Sequence, residues 1–237
     1  MPPEPGTIRV VVFDLDGTLV NSSRDLVEAV NAAREAIGLA PLPHDRVVSY
    51  VGEGVQKLME RALGEGIAPE TLARAMEFFL HYYGQHLLDH TVPYPGVPEA
   101  LAALGGRHLA VLTNKPLRFT RAILDGLGLA HHFERVYGGD SFPAPGAAGG
   151  GYLKKPDPTG LQTLLAEFGA RPSETILVGD SAIDVETARR AGAWSAGVRY
   201  GFGSWTLAEK PPDLLLDDLR QLAAWLDGRG PAPAGRG

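Results

Sequence analysis

The sequence predicts an α/β protein: a doubly wound, Rossmann-like parallel sheet carrying an inserted all-helical cap. Three observations carry this. Short apolar runs alternate with helical patterns from Pro98 onward; one further run, Ile8–Phe13, stands near the start; and the long stretch from Ser22 to Tyr94 reads as helix alone. Strands of a parallel sheet are covered on both faces, so they are apolar throughout rather than alternating. Strand–helix alternation is the pattern of a doubly wound sheet.

The elements follow in order. The first strand ends in Asp14-Leu15-Asp16-Gly17, where a buried run gives way to acids and a turn residue. In the insertion, helical patterns cover Arg24–Ile37, Gly54–Leu63 and Pro69–Leu88, with no convincing strand. Leu72, Met76, Phe79, Leu80 and Tyr83 recur at helical spacing, the mark of a packed helix face rather than a pocket lining. Pro93 and Pro95-Gly96 mark the return to the sheet. Strands are then expected at His108–Thr113, Arg135–Gly138, Thr175–Gly179, Trp194–Val198 and Asp213–Leu216. Helices are expected at Pro98–Leu104, Leu117–Leu127, Pro158–Phe168, Asp184–Ala191 and Leu219–Leu226, with Gly128 and Gly192 placed as helix-ending glycines. The core thus comprises residues 1–20 and 95–228, the cap 21–94, and residues 229–237 form a disordered tail. The first six residues are read as loose, and Pro143–Gly151, rich in Pro, Ala and Gly, as a flexible loop.

Composition narrows the function classes. The 237 residues are 44% hydrophobic and 21% charged, an ordinary globular balance. A net charge of −6 argues against nucleic acid as a partner. No apolar run reaches the ~18 residues of a membrane span, and the opening Met1-Pro2-Pro3-Glu4 is neither basic nor apolar enough for a signal peptide. A cytoplasmic location is the default expectation. Without cysteine there is no disulfide framework and no thiolate metal site.

Four separated pieces converge if the sheet is parallel, because ligands bind outside the carboxyl ends of its strands. They are Asp14-Leu15-Asp16-Gly17-Thr18, Leu112-Thr113-Asn114-Lys115, Lys154-Lys155-Pro156-Asp157-Pro158, and Val178-Gly179-Asp180-Ser181-Ala182-Ile183-Asp184. Side chains two apart on a strand point the same way, so Asp14 and Asp16 share one side while Leu15 returns to the core. Paired carboxylates at a buried strand end repel and are costly to desolvate. They call for a cation, or for one acid that attacks and one that carries a proton. Each piece also has a plain structural reading: Thr113 as a helix cap, Lys115, Lys154 and Lys155 as solvated charges, and Asp25, Glu28 and Asp184 as charges in a helix first turn.

In this order the motifs resemble those of the haloacid dehalogenase superfamily of phosphohydrolases, and within it the phosphoglycolate phosphatase family. Leu19-Val20-Asn21-Ser22 with Asp25-Leu26, Val51-Gly52-Glu53-Gly54, Met59-Glu60-Arg61-Ala62-Leu63 and Tyr137-Gly138-Gly139-Asp140 extend the resemblance from Val10 to about Leu226. Asn21, where the family often has Asp, and a long Pro143–Gly151 stretch depart from it. The resemblance implies a small phosphomonoester as substrate and Mg²⁺ as cofactor. Asp14 would be the nucleophile and Asp16 the general acid and base, with Lys155 stabilising charge and Thr113 and the Asn114 amide holding phosphate oxygens. Mg²⁺ would be held by Asp14, the Asp16 backbone carbonyl, Asp180 and Asp184, the last through water. Lys115, Gly52 and Gly54 are candidates for the carboxylate of a glycolate leaving group, although Glu53 beside them opposes an anion. The alternatives are a phosphatase of another small ester, a phosphomutase, and a phospho-accepting receiver domain, which would be shorter and lack the insertion. The oligomeric state has no signature in the sequence.

Overall fold

The computed structural model describes residues 4–146, 151–231 and 234–235. The chain runs through β1 (Val10–Phe13), β2 (Val20–Asn21), α1 (Ser23–Glu35), α2 (His44–Val48), α3 (Val55–Leu63), α4 (Pro69–Gln85) and β3 (Val92–Pro93). It continues through α5 (Val97–Ala103), β4 (His108–Leu112), α6 (Leu117–Gly126), β5 (Arg135–Tyr137), α7 (Thr159–Glu167), β6 (Thr175–Gly179) and α8 (Ala182–Ala191). β7 (Trp194–Val198), β8 (Leu214–Leu216), α9 (Leu219–Leu226) and β9 (Ala234–Gly235) complete it.

The main sheet has the order β5-β4-β1-β6-β7-β8-β9, parallel from β5 to β8, with β9 antiparallel at the edge. The chain adds strands on one side of β1 and then reverses to the other, so the switch point lies between β1 and β6. Period-two alternation explains the two-sided core. Val11 and Phe13 pack with Leu101, Ile123 and Leu222 on one face, while Val10 and Val12 pack with Leu161, Leu164 and Ala188 on the other. Every residue of β1 is fully buried, as an unbroken apolar run requires.

The six expected sheet strands and the expected helices are all present. The differences concern short pieces. Val20–Asn21 and Val92–Pro93 pair antiparallel as β2 and β3, where the sequence shows no strand in the insertion; two-residue strands are too short to carry a period. α2 is likewise a single turn begun after Pro43. Pro5–Thr7 forms a 3₁₀ turn, and Ala234–Gly235 pairs with β8, so neither end is wholly without structure. The Pro143–Gly151 stretch closes with a bridge from Pro143 to Tyr152; residues 147–150 within it, like residues 1–3, lie outside the described residues.

One side chain fastens the insertion to its return. Asp25 is no surface helix charge: it is buried and its Oδ2 accepts from the backbone N–H of His90 (3.1 Å), that of Thr91 (2.8 Å) and the Thr91 hydroxyl (2.6 Å). Asn21 bonds locally at the start of α1, its side-chain oxygen accepting from the Ser23 N–H (3.2 Å) and hydroxyl (2.7 Å).

Candidate active site

The three strands that end in functional residues, β4, β1 and β6, are neighbours at the centre of the sheet. Their carboxyl ends open into a cavity of about 50 Å³, lined on the core side by Asp14, Asp16, Thr113, Asn114, Lys115, Asp180 and Ser181. From the insertion come Leu26, Val51, Gly52, Gly54, Val55, Leu58 and Tyr83. Eight of the ten candidate residues therefore meet in one cavity; Lys155 is bonded to its Asp14, and Asp184 to Lys155 and Ser181.

Lys155 is the hinge of this acidic group. Its Nζ lies 2.9 Å from Asp14 Oδ1 and 2.6 Å from Asp184 Oδ1, fully enclosed. Burial alone would lower the ammonium pKa, but Asp14 and Asp184 outweigh it and push it up to about 12. The solvated reading of Lys155 is thus overturned. Asp14 Oδ1 also accepts from the Leu15 N–H at 2.7 Å. Burial, opposed by Lys155 and reinforced by Asp184, raises the Asp14 carboxyl to about 6. Asp180 is raised well above the usual carboxylate range, by burial first and then by Asp184 and Asp14.

Asp14, Asp180 and Asp184 bring carboxylate oxygens within 4.8 Å of one another, all buried, with the Lys155 ammonium paired to Asp14 and Asp184. Three hard oxygen donors balanced by one ammonium fit a divalent cation of the Mg²⁺ class. The sequence makes room for this crowding with glycine. A Cβ on Gly17 would fall 2.1 Å from Asp180 Oδ2, and one on Gly179 would fall 2.1 Å from Asp184 Cγ; Gly17 also has φ +81°. Asp184 closes a capping box at the start of α8, accepting from Ser181 N–H (3.2 Å) and Oγ (2.8 Å). It is therefore both a helix cap and a member of the site. Asp180 Oδ2 accepts from the Gly203 N–H at 2.7 Å.

Asp16 belongs to a second network. Lys115 Nζ donates to Asp16 Oδ1 at 3.1 Å and Oδ2 at 3.0 Å, and to the Tyr83 hydroxyl at 2.7 Å; the Ser22 hydroxyl also donates to Asp16. Lys115 is buried rather than solvated, and its ion pair with Asp16 outweighs burial to raise its pKa. Tyr83 and Ser22 are the residues the sequence reading did not place here. Tyr83 sits in the aromatic stripe of α4, which is both a packed face and part of the cavity wall. Burial pushes its phenol up to about 12, so it remains protonated at neutral pH.

The Asn114 side chain acts as a strut. Its amide nitrogen donates to Gly52 O and Lys155 O, both at 2.9 Å, and its oxygen accepts from the Lys155 N–H at 2.8 Å. With these bonds made, the Asn114 side chain has no donor left for a phosphate. Lys154 is half-buried against the insertion, where a Cβ on Gly54 would meet its Nζ at 3.2 Å. Glu53 does not line the cavity and pairs with Arg61.

Comparisons with known proteins agree with this geometry. A family model of haloacid dehalogenase-like hydrolases matches residues 8–192. The phosphoglycolate phosphatase of Chromobacterium violaceum is 40% identical over 201 residues, covering 82% of this chain and 86% of that protein. That of Vibrio cholerae is 37% identical over 227 residues, covering 91% and 96%. A crystal structure of a predicted phosphoglycolate phosphatase from Haemophilus somnus superposes with a TM-score of 0.83 at 32% identity, covering 93% of this chain and 97% of its own. The chain belongs to the haloacid dehalogenase-like hydrolases. Within that family it is a phosphoric monoester hydrolase. Among the described residues no helix is long and apolar enough to cross a membrane.

Proposed function

We propose that the protein is a Mg²⁺-dependent hydrolase of 2-phosphoglycolate that works through an aspartyl-phosphate on Asp14. The observation that carries this reading is the division of labour between the two aspartates: both line one cavity, and each is held by its own buried lysine. Asp14 Oδ1 is already taken by Lys155 and the Leu15 N–H, so Oδ2 is the attacking oxygen. It forms a bond to phosphorus as the bond to the leaving oxygen breaks, and Asp16 gives that oxygen its proton. Asp16 then removes a proton from water, whose oxygen displaces phosphate from Asp14. Lys155 and Thr113 steady the charge on the transferred group, with the Asn114 backbone N–H beside them.

Mg²⁺, held by Asp14, the Asp16 carbonyl, Asp180 and Asp184, would neutralise the repulsion between a carboxylate and a phosphate dianion. Asp184 has both oxygens engaged by Lys155 and Ser181, which suits a contribution through water.

The relatives' name supports glycolate as leaving group. Lys115 supplies the positive charge for the carboxylate, with Gly52 and Gly54 offering loop backbone; Glu53, paired with Arg61, is turned to that partner. Residues 21–94 serve as the cap that shields this step from bulk water. A panel of phosphomonoesters with Mg²⁺ tests the reading: kcat/KM is highest for 2-phosphoglycolate. A tenfold preference for a hexose phosphate overturns the substrate and leaves the phosphatase chemistry standing.

A further inference from the structure

The leaving group of any substrate must meet the insertion side of the cavity. There Leu26, Val51, Val55 and Leu58 are apolar, Gly52 and Gly54 have no side chain, and Tyr83 alone among the lining residues of the insertion brings a polar side chain. Its position is fixed from two directions. The ring stacks on Phe79 of the same helix at 5.5 Å between centroids and meets Phe119 of α6 edge-on at 5.4 Å. Lys115 Nζ lies 4.6 Å from the ring centroid while donating to the phenolic oxygen. A phenol that accepts from an ammonium still has its own O–H to give, and among the described residues that O–H has no acceptor. Tyr83 thus presents an unused donor beside the Lys115 ammonium, whose other side is paired with Asp16 at 3.0 and 3.1 Å, in buried surroundings where such interactions are strong.

We propose that Tyr83 is the residue by which the insertion selects its leaving group: its O–H and the adjoining Lys115 ammonium together grip the carboxylate of a short phosphorylated acid. This rests on the phosphatase reading and adds to it the residue that reads the leaving group and the chemical class it reads. A site built around a hydrogen-bonding pair rejects analogues that lack the matching group far more strongly than an apolar pocket rejects a missing methylene.

The test uses 2-phosphoglycolate and ethyl phosphate, whose leaving groups have the same carbon count and differ in the carboxylate. Tyr83→Phe keeps the ring that Phe79 and Phe119 pack, and its thermal melt is recorded alongside. The ratio of kcat/KM for 2-phosphoglycolate to that for ethyl phosphate is expected to fall at least tenfold in Tyr83→Phe, chiefly through KM for 2-phosphoglycolate. Inhibition by glycolate is expected to weaken in parallel. A wild type that prefers 2-phosphoglycolate and a variant that keeps the same ratio would overturn the assignment of Tyr83, leaving the substrate intact. A wild type that hydrolyses both esters without preference would overturn the carboxylate class itself. Should Tyr83→Phe not fold, inhibition of the wild type decides: glycolate is expected to act at a tenfold lower concentration than ethylene glycol, and equal potency refutes the proposal.

Discussion

Lys115 faces the carboxylate of Asp16 side-on, 3.1 and 3.0 Å from its two oxygens, while Lys155 takes Asp14 from a different loop. Two acids two residues apart would repel in a buried pocket. Here each is matched to a lysine from elsewhere in the chain, Lys115 just after β4 and Lys155 in the loop before α7, so the pair can differ in environment and hence in role. Asp14 joins the metal-type cluster and Asp16 the network reaching the insertion.

Asp14→Asn is expected to abolish turnover while the protein folds, because an amide does not attack phosphorus. It also isolates a pH effect. The Asp14 pKa is raised from 3.8 to about 6 on folding, so its contribution favours the native state below 3.8 and is lost as pH rises through 6. In EDTA, the melting temperature of Asp14→Asn relative to wild type should therefore climb between about pH 4 and about pH 6 and then level off. A flat difference across that range would refute the raised pKa, and residual turnover within a fewfold of wild type would remove Asp14 as nucleophile.

Chelation should stop activity and Mg²⁺ restore it, with Ca²⁺ inhibiting, since Ca²⁺ takes ~6–8 longer bonds and relaxes the octahedral geometry. Asp180→Ala should raise the Mg²⁺ concentration needed for half-maximal rate more than Asp184→Ala does. The reason lies in their partners: Asp180 accepts from a single backbone N–H, whereas Asp184 is engaged by Lys155 and Ser181. Full activity in excess EDTA would end the metal proposal.

Lys155→Ala should cost roughly 2–4 kcal/mol in transition-state stabilisation, read from kcat/KM. It should also lower the melting temperature, because Asp14 and Asp184 lose the ammonium they share. Lys154→Ala, which makes no ion pair among the described residues, should change kcat/KM by less than about a factor of three. Reversed effects would move the catalytic lysine by one residue.

Asp25→Ala should destabilise the fold by about 2–3 kcal/mol, measured by urea unfolding, since three donors from His90 and Thr91 lose one buried acceptor. A loss below about 0.5 kcal/mol would show that water replaces the carboxylate there.

The core was legible because its strands are continuous apolar runs ending in charged or small residues, a pattern that survives without tertiary information. Asp14, Thr113 and Asp180 stand at the ends of three such runs, and the sheet order brings those ends together. What escaped the sequence depends on distance in the chain. Tyr83 reads as one more aromatic in a helix stripe until Lys115 is placed 2.7 Å from its hydroxyl. Asp25 reads as a first-turn charge until Thr91 is folded back onto it. The motif resemblance singles out Lys155 rather than Lys154, and the fold encloses the Lys155 ammonium while leaving its neighbour half-buried.

The Asn114 side chain joins three pieces of chain that the sequence keeps far apart: the end of β4, the loop before α3 through Gly52, and the backbone of Lys155. Lifting the insertion away from the sheet must first release the Gly52 carbonyl, and the nitrogen set free is the one still tethered to the loop that carries the lysine. A single planar amide thus ties the insertion, the end of β4 and the Lys155 loop to one another.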